Sequence, residues 1–150
     1  MQYRGFTRQA RKVMRIAERL AEKEQQLRMG SEYILAGLLQ ENDGVAGQIL
    51  QQLSVNCEEI LTLIHEISLP KTEEQVADGD FLTPESRAIV EEAYAVAERF
   101  DSELVGTEHL LFSIIEHRTS AAARMLLAMN INLGKVYADI LAAMGKENLF

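Results

Sequence analysis

Gly106-Thr107-Glu108-His109-Leu110-Leu111 decides how this chain folds, because Gly30-Ser31-Glu32-Tyr33-Ile34-Leu35 anticipates it 76 positions earlier. Each copy predicts a helix start. The glycine is expected to end the preceding helix at positive φ, a conformation glycine adopts without a Cβ penalty. Ser31 or Thr107 is expected to cap the next helix through its hydroxyl. Glu32 or Glu108 then falls in the first turn, where the helix dipole favours a carboxylate.

Working outward from these two stretches, the same offset holds. Residues 7–64 align with 83–140 without a gap. Thr7/Thr83, Arg11/Arg87, Ala17/Ala93, Ala21/Ala97, Asn56/Asn132 and Ile64/Ile140 are identical, while Val13/Ile89 and Leu38/Ile114 keep their character. Self-similarity at a fixed offset marks an internal repeat. In the first copy Ala10, Val13, Ile16, Ala17, Leu20 and Ala21 have the spacing of one helix face, predicting a helix over 7–28 closed by Gly30. Helices over about 31–41, 45–53 and 57–67 follow, separated by the turn Asn42-Asp43-Gly44 and the cap Asn56.

The second copy opens at Thr83-Pro84, a cap followed by proline at the first helical position. It continues with helices over 107–116, 121–129 and about 133–144, the last capped by Asn132. No strand pattern competes. The predicted fold is all-α: two tandem four-helix repeats, about eight helices, packed with pseudo-twofold symmetry because each unit is too small for a robust core alone. Repeat one covers about 4–67 and repeat two about 83–145, with a linker over 68–82 carrying proline, glycine and charge without apolar periodicity.

Composition narrows the function. With 47% hydrophobic and 25% charged residues the chain has the balance of a globular domain. Residues 1–75 hold 9 Lys/Arg against 11 Asp/Glu and residues 76–150 hold 6 against 12, so the net charge of −8 lies mostly in the second half. Acidity of this kind is a poor match for nucleic acid, where affinity rests on Lys/Arg–phosphate contacts. No apolar run reaches the roughly 18–20 residues a membrane helix requires. The N-terminus has no signal-peptide pattern, and a cytoplasmic location is expected. Cys57 is the single cysteine, leaving no disulfide framework.

Chemistry-bearing constellations are few. There is no phosphate-binding glycine loop, zinc spacing or nucleophile elbow. Residues three before His65, His109 and His117 are Thr62, Gly106 and Ile114, so the Glu-x-x-His motif of carboxylate-metal bundles does not occur. No metal, cofactor or catalytic set is expected within this chain. Glu32 and Glu108 support two readings: carboxylates that complement a helix dipole, or receptors for a guanidinium, which a carboxylate can hold bidentately. His109 stands where the first copy has Tyr33, so both are expected to pack or to make local hydrogen bonds. Arg8, Arg11, Lys12, Arg15 and Arg19 form a basic stripe opposite the apolar face, either solvated surface or a docking patch.

The order Phe6-Thr7 … Arg11 … Ala17 … Gly30-Ser31-Glu32-Tyr33-Ile34-Leu35, echoed by Leu82-Thr83-Pro84 … Gly106-Thr107-Glu108-His109-Leu110-Leu111, resembles the duplicated Clp N-terminal domain. More closely, it is similar to that of the ClpC type of Hsp100 unfoldase. The resemblance spans residues 4–145, and Ser31 and Tyr33 depart from the motif that the second copy keeps.

The resemblance implies a non-enzymatic domain recruiting protein substrates and adaptors. It would precede AAA+ modules of the same polypeptide, which use ATP and Mg and deliver substrates to a ClpP-type peptidase. A free-standing accessory protein regulating Clp assembly is the alternative. The resemblance further implies two related phosphoarginine sites, with Glu32 and Glu108 facing the guanidinium and helix starts at Thr7 and Thr83 near the phosphoryl group. Of the two, Glu108 is the more expected to operate. Adaptor docking, if separate, is expected at Arg8, Lys12, Arg15 and Arg19.

Overall fold

The structure is a computed structural model that describes residues 3–67 and 81–145. Except for Phe81 and Leu82, the linker predicted over 68–82 lies outside the described residues. The helices are α1 (Arg8–Lys23), α2 (Ser31–Gln40), α3 (Val45–Gln52), α4 (Cys57–Ile67), α5 (Pro84–Arg99), α6 (Thr107–Glu116), α7 (Ala121–Ala128) and α8 (Leu133–Ala143). No named strand occurs among the described residues, and the all-α expectation holds.

Local chemistry sets most helix starts. The Thr7 and Thr83 hydroxyls accept the N–H of Ala10 and Ser86, both at 3.1 Å. Asn56 Oδ1 accepts from Glu58 at 2.8 Å, and Asn132 Oδ1 accepts from Lys135 at 3.2 Å. Each such cap satisfies a donor that the helix itself leaves open.

The helix ends correct one expectation. α1 stops at Lys23, well short of Gly30. Its terminator is Gln25 at φ 58, with the N–H of Gln26 reaching Ala21 O at 2.9 Å. The same paired bonds, closed by a left-handed residue, end α3 at Ser54, α5 at Asp101 and α7 at Asn130. Gly30 and Gly106, at φ −82 and −97, are instead the N-caps of α2 and α6. Glycine stands there for space: a Cβ on Gly30 would overlap Glu32 Oε1, and one on Gly106 would overlap Glu108 Oε1. Both glutamates therefore fold back over their own helix start.

The repeats are joined crosswise. Phe6, entering repeat one, pairs in parallel with Val105 of repeat two; Leu82, entering repeat two, pairs with Met29 of repeat one. Thr7 N–H reaches Val105 O at 2.9 Å and Val105 N–H reaches Gly5 O at 2.7 Å. At the mate, Met29 N–H reaches Phe81 O at 2.6 Å and Thr83 N–H reaches Met29 O at 3.2 Å. Between the seams lie α2 and α6. Ile34, Leu35, Leu38, Leu110, Leu111, Phe112 and Ile114 are buried there, because each central helix touches both repeats and has little face left for solvent.

Candidate functional site

The motif glutamates occupy the second helical position of α2 and α6 and are half-buried. Glu32 Oε1 is buried with no hydrogen-bond partner among the described residues. Burial pushes the Glu32 carboxyl above the ordinary carboxylate range; its own backbone N–H draws it back part of the way, and the Glu85 charge pushes it further up. A guanidinium placed against such an oxygen would relieve the desolvation cost.

The motif hydroxyls correct a second expectation. Ser31 and Thr107 are the first helical residues rather than caps, and each serves the opposite repeat. Thr107 Oγ1 accepts the N–H of Ala46, at the start of α3, at 3.1 Å. Ser31 Oγ accepts the N–H of Ala122, at the start of α7, at 3.0 Å and donates to Glu85 Oε2 at 2.7 Å. Thus each motif is locked to a helix start of the other half.

The seams also reassign partners among the predicted residues. Thr7 adjoins the Val105–Glu108 stretch, and Thr83 adjoins Met29–Glu32. The seams therefore set the entry threonine of each repeat against the residue three positions ahead of the other repeat's motif glutamate. Sequence reasoning missed Glu85, which accepts from Ser31 and from the Ala121 N–H at 3.1 Å. Its counterpart at the 76-residue offset is Gln9, a difference visible in the alignment only once the contact is known.

The basic stripe is exposed on α1. Arg8, Gln9, Lys12 and Arg15 line a groove of about 460 Å³ with Glu41 and Asp43, the residues that lead into α3. Lys12 Nζ pairs with Glu41 at 3.2 Å. Arg8 and Arg15 have no ion-pair partner among the described residues, leaving their charge available at this groove. Arg19 lies further along the same helix, outside the groove lining.

His109 is buried, and its Nδ1 accepts the Gly106 N–H at 2.8 Å, a local hydrogen-bonding role as expected. Burial holds its pKa below the ordinary 6.5, with the Glu108 charge pulling the other way. The unfolded chain therefore binds this proton first. The stability that neutral His109 contributes is complete above pH 6.5 and declines as pH falls below it. His109→Gln should flatten the stability profile between pH 7 and 5; identical slopes in urea titrations of both proteins would contradict this role.

No group of His, Cys, Asp and Glu that could hold a metal ion occurs among the described residues. No helix among them is long and apolar enough to cross a membrane. Together these features define an internally duplicated all-α domain whose two seams set a threonine cap against the segment leading to a motif glutamate. The chain belongs to the Clp N-terminal domain family, whose model, described as the Clp repeat (R) N-terminal domain, matches residues 5–129 and 81–148.

The chain is similar to the Bacillus subtilis protein named negative regulator of genetic competence ClpC/MecB, 30% identical over 147 residues. That alignment covers 98% of this chain and 18% of the relative, so the chain spans less than a fifth of its relative's length. The fold is that of the Hsp104 N-terminal domain from Candida albicans: TM-score 0.76, 13% identity, 94% of this chain and 92% of the other. It is likewise that of a ClpV N-domain solved with a VipB peptide: TM-score 0.69, 16% identity, 93% and 89% covered.

Proposed function

We infer that this chain is the substrate- and adaptor-recruiting domain of a ClpC-type unfoldase acting in the cytoplasm, and that it binds proteins marked with phosphoarginine. The observation that carries the reading is the crossed seam. The entry threonine of each repeat is bonded to the residue three positions ahead of the other repeat's motif glutamate, and the Thr7 copy adjoins a groove with three cations. Phosphoarginine is a planar cation bearing a phosphoryl anion, so its receptor needs a carboxylate and, close by, a source of positive potential. Glu108 supplies the first. The start of α3, with Arg8, Lys12 and Arg15, supplies the second. A chain with a net charge of −8 would repel a phosphoryl group at long range, and this local concentration of cations offsets that repulsion.

Recruitment of protein segments is supported by the peptide complex of the similarly folded ClpV domain and by the ClpC name of the Bacillus relative. Adaptors are placed on the same basic stripe, with Arg19 extending it. ATP-driven unfolding and delivery to a ClpP-type peptidase would belong to modules elsewhere in a longer polypeptide.

The test is calorimetric titration with free phosphoarginine. Glu32→Ala combined with Glu108→Ala should abolish the binding seen for the wild-type chain, while circular dichroism stays helical. Unchanged affinity in the double variant would sink the assignment.

A further inference from the structure

The pseudo-twofold arrangement presents the candidate site twice, and the two copies differ in chemistry. At the start of α7 three N–H groups are taken by side chains: Ala121 by Glu85 at 3.1 Å, Ala122 by Ser31 at 3.0 Å and Ala123 by Ser120 at 3.1 Å. At the start of α3 only the Ala46 N–H is taken, by Thr107, because the cap there is Gly44, which has no side chain. The Val45 N–H, counterpart of Ala121, has no acceptor among the described residues.

The threonines differ as well. Thr83 donates its hydroxyl proton to Ser86 Oγ at 3.0 Å, and Ser86 passes the chain on to Met29 O at 2.8 Å. The counterpart of Ser86 is Ala10, so the Thr7 hydroxyl accepts from the backbone and donates to no group among the described residues. Charge separates the copies further. Arg8, Gln9, Lys12 and Arg15 at the α3 groove correspond to Pro84, Glu85, Ala88 and Glu91 beside α7. At these positions the α3 groove has Arg8, Lys12 and Arg15 beside Glu41 and Asp43, whereas the α7 copy has Glu85 and Glu91 and no cation.

We propose that Glu85 is a built-in anionic occupant that closes the α7 copy, so that a phosphorylated guanidinium binds only where Thr7, Glu108 and α3 meet. This rests on the phosphoarginine reading above. A phosphoryl group entering the α7 copy would have to displace a carboxylate that already accepts from Ser31 and Ala121, and it would face the Glu32 and Glu85 charges. At α3 the same group meets a free N–H, a free hydroxyl proton and the Arg8 and Arg15 guanidiniums. Glu85 is thus a specificity-determining residue, and repeat two keeps its cap chemistry while giving up the ligand.

Calorimetry with free phosphoarginine should give one site per wild-type chain. Glu108→Ala should weaken it by at least about tenfold, the worth of one charge-assisted hydrogen bond. Glu85→Ala should raise the stoichiometry from one to two. In the Glu108→Ala background, Glu85→Ala should restore a site, and adding Glu32→Ala should remove it again. A restored site cannot arise from misfolding. Two sites in the wild-type chain, or one site of unchanged affinity in Glu108→Ala, would overturn the role of Glu85 and leave the phosphoarginine reading standing. Absence of binding in the wild-type chain and in every variant would overturn that reading, and this inference with it.

Discussion

Phe6→Ala is expected to lower the unfolding free energy by about 3–5 kcal/mol, the usual cost of emptying a buried phenylalanine site. Phe6 is 2% exposed, and its ring lies 5.3 Å from that of Tyr3 and 5.4 Å from that of Tyr94. More depends on it than its area, because its backbone forms the bridge to Val105 that ties the entry of repeat one to the motif of repeat two. Loosening this seam should release the Thr7–Glu108 site along with the core. Urea unfolding followed by circular dichroism should show one transition with a reduced midpoint. A loss below about 1 kcal/mol, a value typical of surface positions, would mean that the seam is not where the repeats are held. Two separate transitions would mean that they fold independently.

Thr107→Val is expected to cost about 1–3 kcal/mol, the penalty for a buried N–H left without its acceptor. Shape is conserved in this substitution, so the loss isolates the hydroxyl that accepts from Ala46 across the repeat boundary. Thr107→Ser keeps that oxygen and should retain most of the stability. The serine already present at Ser31 shows that the smaller side chain can fill the role, there accepting from Ala122. Wild-type stability in the Val variant, with the loss confined to Ser, would assign the role of Thr107 to its methyl packing instead.

Much of the fold was legible because the physics behind it is local. Thr7, Thr83, Asn56 and Asn132 are polar residues placed just ahead of apolar periodicity, and each caps the helix predicted from it. Pro84 sits at the first helical position, where its missing N–H costs nothing. The 76-residue offset carried these features from one repeat to the other, down to the paired left-handed residues Gln25/Asp101 and Ser54/Asn130. Those four residues were not read in advance, because non-glycine residues in left-handed helix ends carry no strong compositional signal.

The misreadings have one source. In Gly30-Ser31-Glu32 and Gly106-Thr107-Glu108 a glycine followed by a hydroxyl fits either a helix end and a cap, or a cap and a first helical residue. Local preference alone favours the hydroxyl as the cap. Tertiary contacts decided otherwise, because Ser31 and Thr107 are claimed by helix starts 91 and 61 residues away in sequence. The site glutamates were found by their repetition, whereas Glu85 was not, since a lone acid in a first turn reads as dipole complementation.

By itself, then, the sequence determined the all-α class, the duplication, the helix caps and the two glutamates, because capping, periodicity and repetition act within a few residues of chain or at a fixed offset. Which threonine is set against which motif, and which helix start is covered by a carboxylate, was decided only by the crossed seams. Those seams join residues 53 and 99 positions apart, as Met29–Leu82 and Phe6–Val105. A hydrogen bond of that span leaves no periodic trace in the chain that makes it.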